Sequence, residues 1–174
     1  MATPQSGWRK GADTTIPPAQ AWRQSPVVML LATGFGSGMI RPYSGTWGSI
    51  PPTFLAWAIQ RQGNDLVFIA STLAVIAISI WAADRAEPLF GHDSGRIVID
   101  EWAGVFVCYL GLPGQMWVMI PVFVLFRIFD VWKPWPTRRL ESLRGGLGVT
   151  ADDLMAAVYT NLAVRVVLLV VARG

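Results

Sequence analysis

The sequence predicts an all-α protein, a polytopic membrane helical bundle in which some helices are short or re-entrant. Hydrophobic residues make up 53% of the 174 residues and charged residues only 14%, which is unusual for a soluble domain. Residues 66–83 carry no charge and approach the length of a membrane-spanning helix. No apolar run alternates as a membrane β-barrel strand does. Backbone polar groups in lipid must be satisfied internally, so apolar segments that enter the membrane are expected to be helices. We expect about five such membrane-embedded helices.

The N-terminal segment differs in composition from the rest of the chain. Residues 1–26 are polar, contain Pro17 and Pro18, and show no helical periodicity, so we expect a disordered cytoplasmic tail. The membrane domain is then expected over residues 27–174. Its first apolar run, residues 27–32, is shorter than the apolar region of a secretory signal peptide, and no signal peptide is predicted.

Three apolar segments accompany the run at 66–83. Residues 53–59 form a short one. The stretch 102–126 is interrupted by the turn-forming sequence GLPGQ, which predicts a helical hairpin rather than one helix. A last apolar helix is expected over about residues 154–172.

Basic residues near the ends of these segments predict the orientation. Cytoplasmic loops of membrane proteins carry an excess of lysine and arginine. If loops 84–101 and 127–153 lie in the cytoplasm with the N-terminus, most of the basic residues are on that side. Those residues are Arg85, Arg96, Lys133, Arg138, Arg139 and Arg144. Arg165 lies inside the last apolar segment, where it is expected either to pair with a site carboxylate or to reach toward an interface.

Carboxylates stand beside basic residues at the ends of the predicted hairpin. Asp100 and Glu101 precede its first helix, and Arg127, Asp130 and Lys133 are spaced by three along its second. The turn brings these two ends together. Ionisable groups at membrane depth are costly unless they pair or bind something, and we interpret the three carboxylates as metal ligands.

A second pair of acids, Asp152 and Asp153, follows a glycine-rich stretch before the last apolar segment. One interpretation is structural, with Thr150 as an N-cap and the acids stabilised by the helix dipole. The other adds both residues to the metal site. Mg²⁺ takes oxygen ligands and needs only a few carboxylates besides water and substrate phosphate.

Residues 32–52 form a glycine-rich stretch that contains Thr46 and Ser49 and lies just before the apolar segment 53–59. Backbone N–H groups in such a stretch can bind phosphate. The structural alternative is a re-entrant turn. The sequence matches neither the P-loop nor the dinucleotide-binding pattern.

Composition and residue counts exclude several functional classes. The net charge of +3 comes from scattered basic residues, so no nucleic-acid partner is expected. Cys108, the only cysteine, lies in an apolar run and is interpreted as a buried hydrophobic residue. His92 is the only histidine, which excludes a phosphohistidine mechanism that uses two. Aspartyl-phosphate phosphatases have a second aspartate two positions after the nucleophilic one, whereas Trp132 stands two positions after Asp130, which excludes that mechanism.

Over about residues 27–172 the chain resembles the phosphatidylglycerophosphatase A family. The resemblance lies in five ordered blocks, LLATGFGSG, GTWGS, HDSGRIVIDEWAG, FVLFRIFDVWKPWP and GGLGVTADDLMAAV. In one departure, Ser44 stands where the family typically has a proline before the GT pair.

The resemblance implies a Mg²⁺-dependent enzyme of the bacterial inner membrane that removes the terminal phosphate of phosphatidylglycerophosphate at the cytoplasmic face. The implied metal ligands are Asp100, Glu101, Asp130, Asp152 and Asp153. Thr46, Ser49, Arg127 and Lys133 are implied to bind the substrate phosphate. His92 is expected either to protonate the leaving glycerol oxygen or to hydrogen-bond Asp93. Asp100, Asp130, Arg127 and Lys133 complete the expected catalytic set.

The alternative is a small non-catalytic membrane protein, either an ion-conducting or an assembly subunit, with structural buried ion pairs. That interpretation predicts near one-to-one pairing of charges. Residues 100–153 instead cluster carboxylates with glycine turns, as a divalent cation site would. The sequence does not predict an oligomeric state.

Overall fold

The computed structural model describes residues 17–91, 94–140, 143 and 145–173. These residues form helices and no strand, which confirms the all-α prediction. The α-helices are α1 (Pro18–Gln24), α2 (Pro26–Ala32), α3 (Ser44–Gln60), α4 (Asp65–Phe90), α5 (Ile99–Cys108), α6 (Met119–Trp132), α7 (Thr137–Leu140) and α8 (Gly145–Val171). Two short 3-10 helices lie at Ser37–Met39 and Met116–Val118.

Helices α4 and α8 are the two described helices long and apolar enough to cross a membrane. Less than a third of the apolar stretch of each is buried inside the protein, so most of that surface suits an apolar environment. The expectation of about five embedded helices stays a prediction.

Helix α4 confirms the apolar run at 66–83 and continues beyond it. The Asn64 side chain accepts a hydrogen bond from the Val67 N–H at 3.1 Å, as an N-cap does. The helix runs on to Phe90 because Ala82, Ala83 and Ala86 are fully buried and belong to the same apolar cluster as residues of α2. Asp84 and Arg85 in this part are exposed, and Asp84 Oδ1 accepts a hydrogen bond from the Gly146 N–H of α8 at 3.4 Å.

Helix α5 is the most enclosed element, with eight of its ten residues buried. It contacts α3, α4, α6 and α8. With ten residues, it is shorter than the about 20 that a spanning helix needs. Because α5 carries Asp100 and Glu101 at its first turn, the packing of the whole bundle fixes where these carboxylates lie.

The predicted hairpin is present, and its turn is held by side chains from α3 and α8. Trp57 Nε1 donates to the Gly114 carbonyl at 3.0 Å and Gln60 Nε2 to the Leu112 carbonyl at 2.8 Å. The Arg165 guanidinium donates to the Leu110 carbonyl at 2.9 Å and to Asn161 Oδ1 at 2.8 Å. These bonds satisfy carbonyls beyond the end of α5. Arg165 is therefore a structural residue at the turn and does not pair with a site carboxylate.

The expected start of the last helix is wrong. Helix α8 begins at Gly145, so Thr150 is inside it and is not an N-cap; its Oγ1 instead lies 2.9 Å from Ser79 Oγ on α4. Gly146, in the first turn of α8, permits a close approach to α4. A Cβ at Gly146 would collide with the Ile80 carbonyl of α4, and only glycine permits that approach.

Two further boundaries differ from expectation. Residues 18–24, assigned to the disordered tail, form α1, in which Pro18 occupies the first turn and Ala21 is fully buried. The remainder of the expected tail, residues 1–16, lies outside the described residues. The GTWGS block belongs to α3 and not to a loop, with Ser44 as the first helical residue.

Candidate functional site

Arg127 joins the two ends of the hairpin. Its Nη1 lies 3.3 Å from Glu101 Oε1 on α5 and 2.8 Å from Asp130 Oδ2, one turn further along α6. The three side chains are at least four-fifths buried. The convergence predicted from the turn is thus present, and Arg127 is the residue that connects the two carboxylate groups.

A second ion pair links the end of α6 to α8. Lys133 Nζ lies 2.7 Å from Asp152 Oδ2, and the Asp152 side chain is 8% exposed. Lys133 has a left-handed backbone conformation, with φ of 49°, and its N–H donates to the Phe129 carbonyl at 2.8 Å. This conformation ends α6 and directs the chain away from the helix axis at the residue that meets Asp152.

The remaining predicted ligands, Asp100 and Asp153, lie in the same region. Asp152 and Asp130 both act electrostatically on Asp100. Asp153 is influenced by the other four carboxylates. These five carboxylates, Asp100, Glu101, Asp130, Asp152 and Asp153, are called the carboxylate cluster below. Among the described residues, Arg127 and Lys133 are the cations paired with it, which leaves three negative charges in excess when all five acids are ionised.

Burial and mutual repulsion work against ionisation in this cluster. Asp100 and Glu101 lie on α5, outside the two candidate spanning helices. Burial raises the pKa of the Asp100 carboxyl well above its usual value, and the charge of Asp152 adds to the effect. Burial also raises the pKa of Glu101, with a further contribution from Asp100 that Arg127 opposes. A positively charged ligand would favour the ionised forms of both.

The residues present fit a hard divalent cation. The donor set consists of carboxylate oxygens, and Glu101 Oε2 is buried without a hydrogen-bond partner among the described residues. Within the described part of the chain, no three side chains of the ligating types are already placed to hold an ion together. Mg²⁺ does not require three, because it usually binds one or two carboxylates and completes its shell with water and substrate phosphate.

Two glycines let α3 pack directly on the Glu101–Arg127 pair. A Cβ at Gly45 would collide with Glu101 Oε1 and lie 2.7 Å from Arg127 Nη2; a Cβ at Gly48 would collide with Glu101 Oε2. Neither glycine was predicted to pack in this way. Their spacing of three, which places both on one face of a helix, was the available signal.

The two predicted phosphate-binding hydroxyls both lie on α3, and that of Ser49 contacts Arg127. Ser49 is buried; its Oγ donates to the Gly45 carbonyl at 2.7 Å and accepts from Arg127 Nη1 at 3.4 Å. Thr46 is half-buried in the first turn of α3. His92, the expected acid, lies outside the described residues, as does Asp93.

Comparison with known proteins gives a consistent family signal. The profile of the phosphatidylglycerophosphatase A family matches residues 30–168. A Haemophilus influenzae phosphatidylglycerophosphatase A is 38% identical over 140 residues, covering 79% of this chain and 86% of that protein. The phosphatidylglycerophosphatase A of Escherichia coli is 37% identical over 137 residues, covering 75% and 77%.

A third relative carries a different name. A Bacteroides thetaiotaomicron protein, whose name proposes a phosphatidylinositol-3-phosphatase, is 35% identical over 151 residues, covering 83% of this chain and 95% of that protein. No solved structure matches the chain.

Proposed function

The chain belongs to the phosphatidylglycerophosphatase A family, and on this premise we propose that it hydrolyses the terminal phosphate of phosphatidylglycerophosphate. The products are phosphatidylglycerol and inorganic phosphate, and the reaction depends on Mg²⁺. The proposed location is the inner membrane of a bacterium, with the site at the cytoplasmic face. The lipid enters sideways from that leaflet.

The observation that carries the proposal is the pairing of two cations with the carboxylate cluster. Phosphate ester hydrolysis needs positive charge on the phosphoryl oxygens and oxygen ligands for a hard metal ion. Arg127 and Lys133 supply the first, and their partners Glu101, Asp130 and Asp152 supply the second. A structural ion-pair network would not need the excess of carboxylates.

Each residue then has a proposed role. When bound, Mg²⁺ supplies a Lewis acid and lowers the pKa of a bound water. Arg127 and Lys133 bind the phosphoryl oxygens. The hydroxyls of Thr46 and Ser49, in the first turns of α3, assist in binding the same oxygens.

Asp100 and Asp130 orient the attacking water. The water oxygen bonds to phosphorus as the bond to the glycerol oxygen breaks, and His92 gives that oxygen a proton.

The test is release of inorganic phosphate from phosphatidylglycerophosphate by the purified full-length protein in detergent, with Mg²⁺ or with a chelator. We expect Asp100→Asn and Asp130→Asn to lower kcat at least about a hundredfold, since each removes a charge that the site needs. Asp65→Asn, an exposed carboxylate at the start of α4, is the matched control. Unchanged circular dichroism would show that the variants fold.

Phosphatidylinositol 3-phosphate, the substrate class in the name of the Bacteroides relative, is assayed in parallel. A higher kcat/KM for that lipid than for phosphatidylglycerophosphate would replace the proposed substrate. Activity that persists with chelator, or in both asparagine variants, would contradict the proposed site.

A further inference from the structure

An open groove of about 390 Å³ lies beside the carboxylate cluster, where α6 ends and α7 begins. It is lined by Trp132, Lys133, Pro134, Trp135, Pro136, Arg138 and Arg139. We call it the 132–139 groove. The roles proposed above use only one of these residues, Lys133.

Hydrogen bonds hold the backbone of the segment that lines the groove. The Tyr159 hydroxyl on α8 donates to the Trp135 carbonyl at 2.7 Å. The Thr137 N–H donates to the Pro134 carbonyl at 2.8 Å, and the Thr137 side chain is buried. The segment between α6 and α7 is therefore held against α8 by the Tyr159–Trp135 hydrogen bond.

The walls combine positive charge with exposed aromatic rings. Arg138 and Arg139 are exposed, and the Arg139 guanidinium lies 5.7 Å from the centre of the Trp135 ring. Trp132 and Trp135 are 64% and 73% exposed. Arginine binds phosphate oxygens through two parallel hydrogen bonds, and tryptophan favours the headgroup level of a membrane. This surface suits an anionic phosphate on an amphiphile.

One end of the groove is continuous with the carboxylate cluster. Lys133 lines the groove and also forms the 2.7 Å ion pair with Asp152. A ligand with one anionic group at Lys133 would therefore pass Arg138 and Arg139 if it extends along the groove. Phosphatidylglycerophosphate has such a form, with a terminal phosphate monoester and a phosphodiester separated by glycerol.

We propose that the 132–139 groove binds the phosphodiester of the lipid substrate through Arg138 and Arg139. The terminal phosphate then lies at Arg127 and Lys133. The inference rests on the proposed function and adds a source of specificity to it. Lipids with a second phosphate beyond the scissile one bind more tightly than lipids with a single terminal phosphate.

The test separates the two phosphates by using the two products as competitors. Phosphatidylglycerol has only the diester, and inorganic phosphate resembles only the terminal group. The double variant Arg138→Gln/Arg139→Gln is compared with Arg85→Gln, an exposed arginine of α4 that lies near Trp81 and outside the groove. Assays use uncharged detergent micelles, so that no bulk anionic lipid is present, and are repeated in anionic vesicles for comparison.

For the double variant we expect KM for phosphatidylglycerophosphate to rise about tenfold and kcat to change much less, because the arginines do not touch the reacting phosphorus. The inhibition constant of phosphatidylglycerol rises about tenfold, and that of inorganic phosphate stays within about twofold. Arg85→Gln behaves as the wild type.

Three results would overturn the inference. The first is an unchanged inhibition constant of phosphatidylglycerol in the double variant, and the second is an equal rise in the inhibition constants of both competitors. The third is a rise in KM that is seen only in anionic vesicles, which would mean that the arginines bind the bulk membrane. If the wild type does not hydrolyse the lipid, the proposed function fails separately. Phosphatidylglycerol binding, followed by tryptophan fluorescence in the wild type and in the double variant, still decides the inference.

Discussion

The Arg127 guanidinium lies 3.3 Å from the Glu101 carboxylate although the two residues are on different helices with the hairpin turn between them. Both side chains are largely buried, and Gly45 and Gly48 of α3 close over the carboxylate. Neither charge has full access to water. The pair therefore contributes to stability and places a cation where the phosphate is expected.

Arg127→Gln should lower both stability and activity. Removing the cation leaves the largely buried carboxylates of Glu101 and Asp130 without their partner, and breaking a buried pair in this way costs about 3 kcal/mol. The loss of a phosphate-binding cation should lower kcat/KM at least about a hundredfold. Chemical unfolding in detergent micelles and phosphate release measure the two effects.

The double variant Arg127→Gln/Glu101→Gln provides the control, because it removes one of the two carboxylates that lose their cation, while Asp130 remains. We expect it to recover part of the lost free energy of unfolding while remaining inactive. A double variant no more stable than Arg127→Gln would show that the pair does not couple the two helices.

The close approach of α3 gives a prediction about packing. Gly48→Ala introduces a Cβ that collides with Glu101 Oε2 and lies 2.6 Å from Val98 Cβ, so α3 must move away from the ion pair. We expect a loss of about 1 to 3 kcal/mol and reduced phosphate release, read by thermal unfolding and the activity assay.

Gly95→Ala is the matched control for that substitution, since among the described residues its Cβ would meet only Ser44 Oγ, at an ordinary 3.4 Å. It should unfold at a temperature close to that of the wild type. Equal destabilisation by the two alanines would mean that contact with Glu101 is not the reason Gly48 is needed.

The sequence was most informative where a single segment decides the structure. The uncharged run in α4 and the GLPGQ turn were sufficient to predict a long helix and a hairpin, and the hairpin brought Glu101 to Arg127. The glycines were misread because isolated glycines favour turns. Gly146 lies inside α8, and glycine is needed there because α8 approaches the Ile80 carbonyl of α4. This contact joins distant segments, so no local sequence pattern contains it.

Arg165 should prove structural, in contrast to Arg127. Arg165→Gln removes the hydrogen bond to the Leu110 carbonyl at the end of the hairpin away from the carboxylate cluster. We expect a loss of about 1 kcal/mol in the free energy of unfolding with kcat and KM within about twofold of the wild type. A large fall in kcat at unchanged stability would give Arg165 a part in the reaction.

Metal binding should be measurable as stability, without any reference to activity. A ligand that binds only the folded state stabilises it, by about 2.7 kcal/mol at a hundred times its dissociation constant. The carboxylate cluster has more carboxylates than paired cations, and Glu101 Oε2 is buried with no hydrogen-bond partner among the described residues, so we expect Mg²⁺ to raise the unfolding temperature of the wild type. Asp100→Asn should show a much smaller shift, while Asp65→Asn should respond as the wild type does. An identical rise in all three proteins would place the ion at a site other than this cluster.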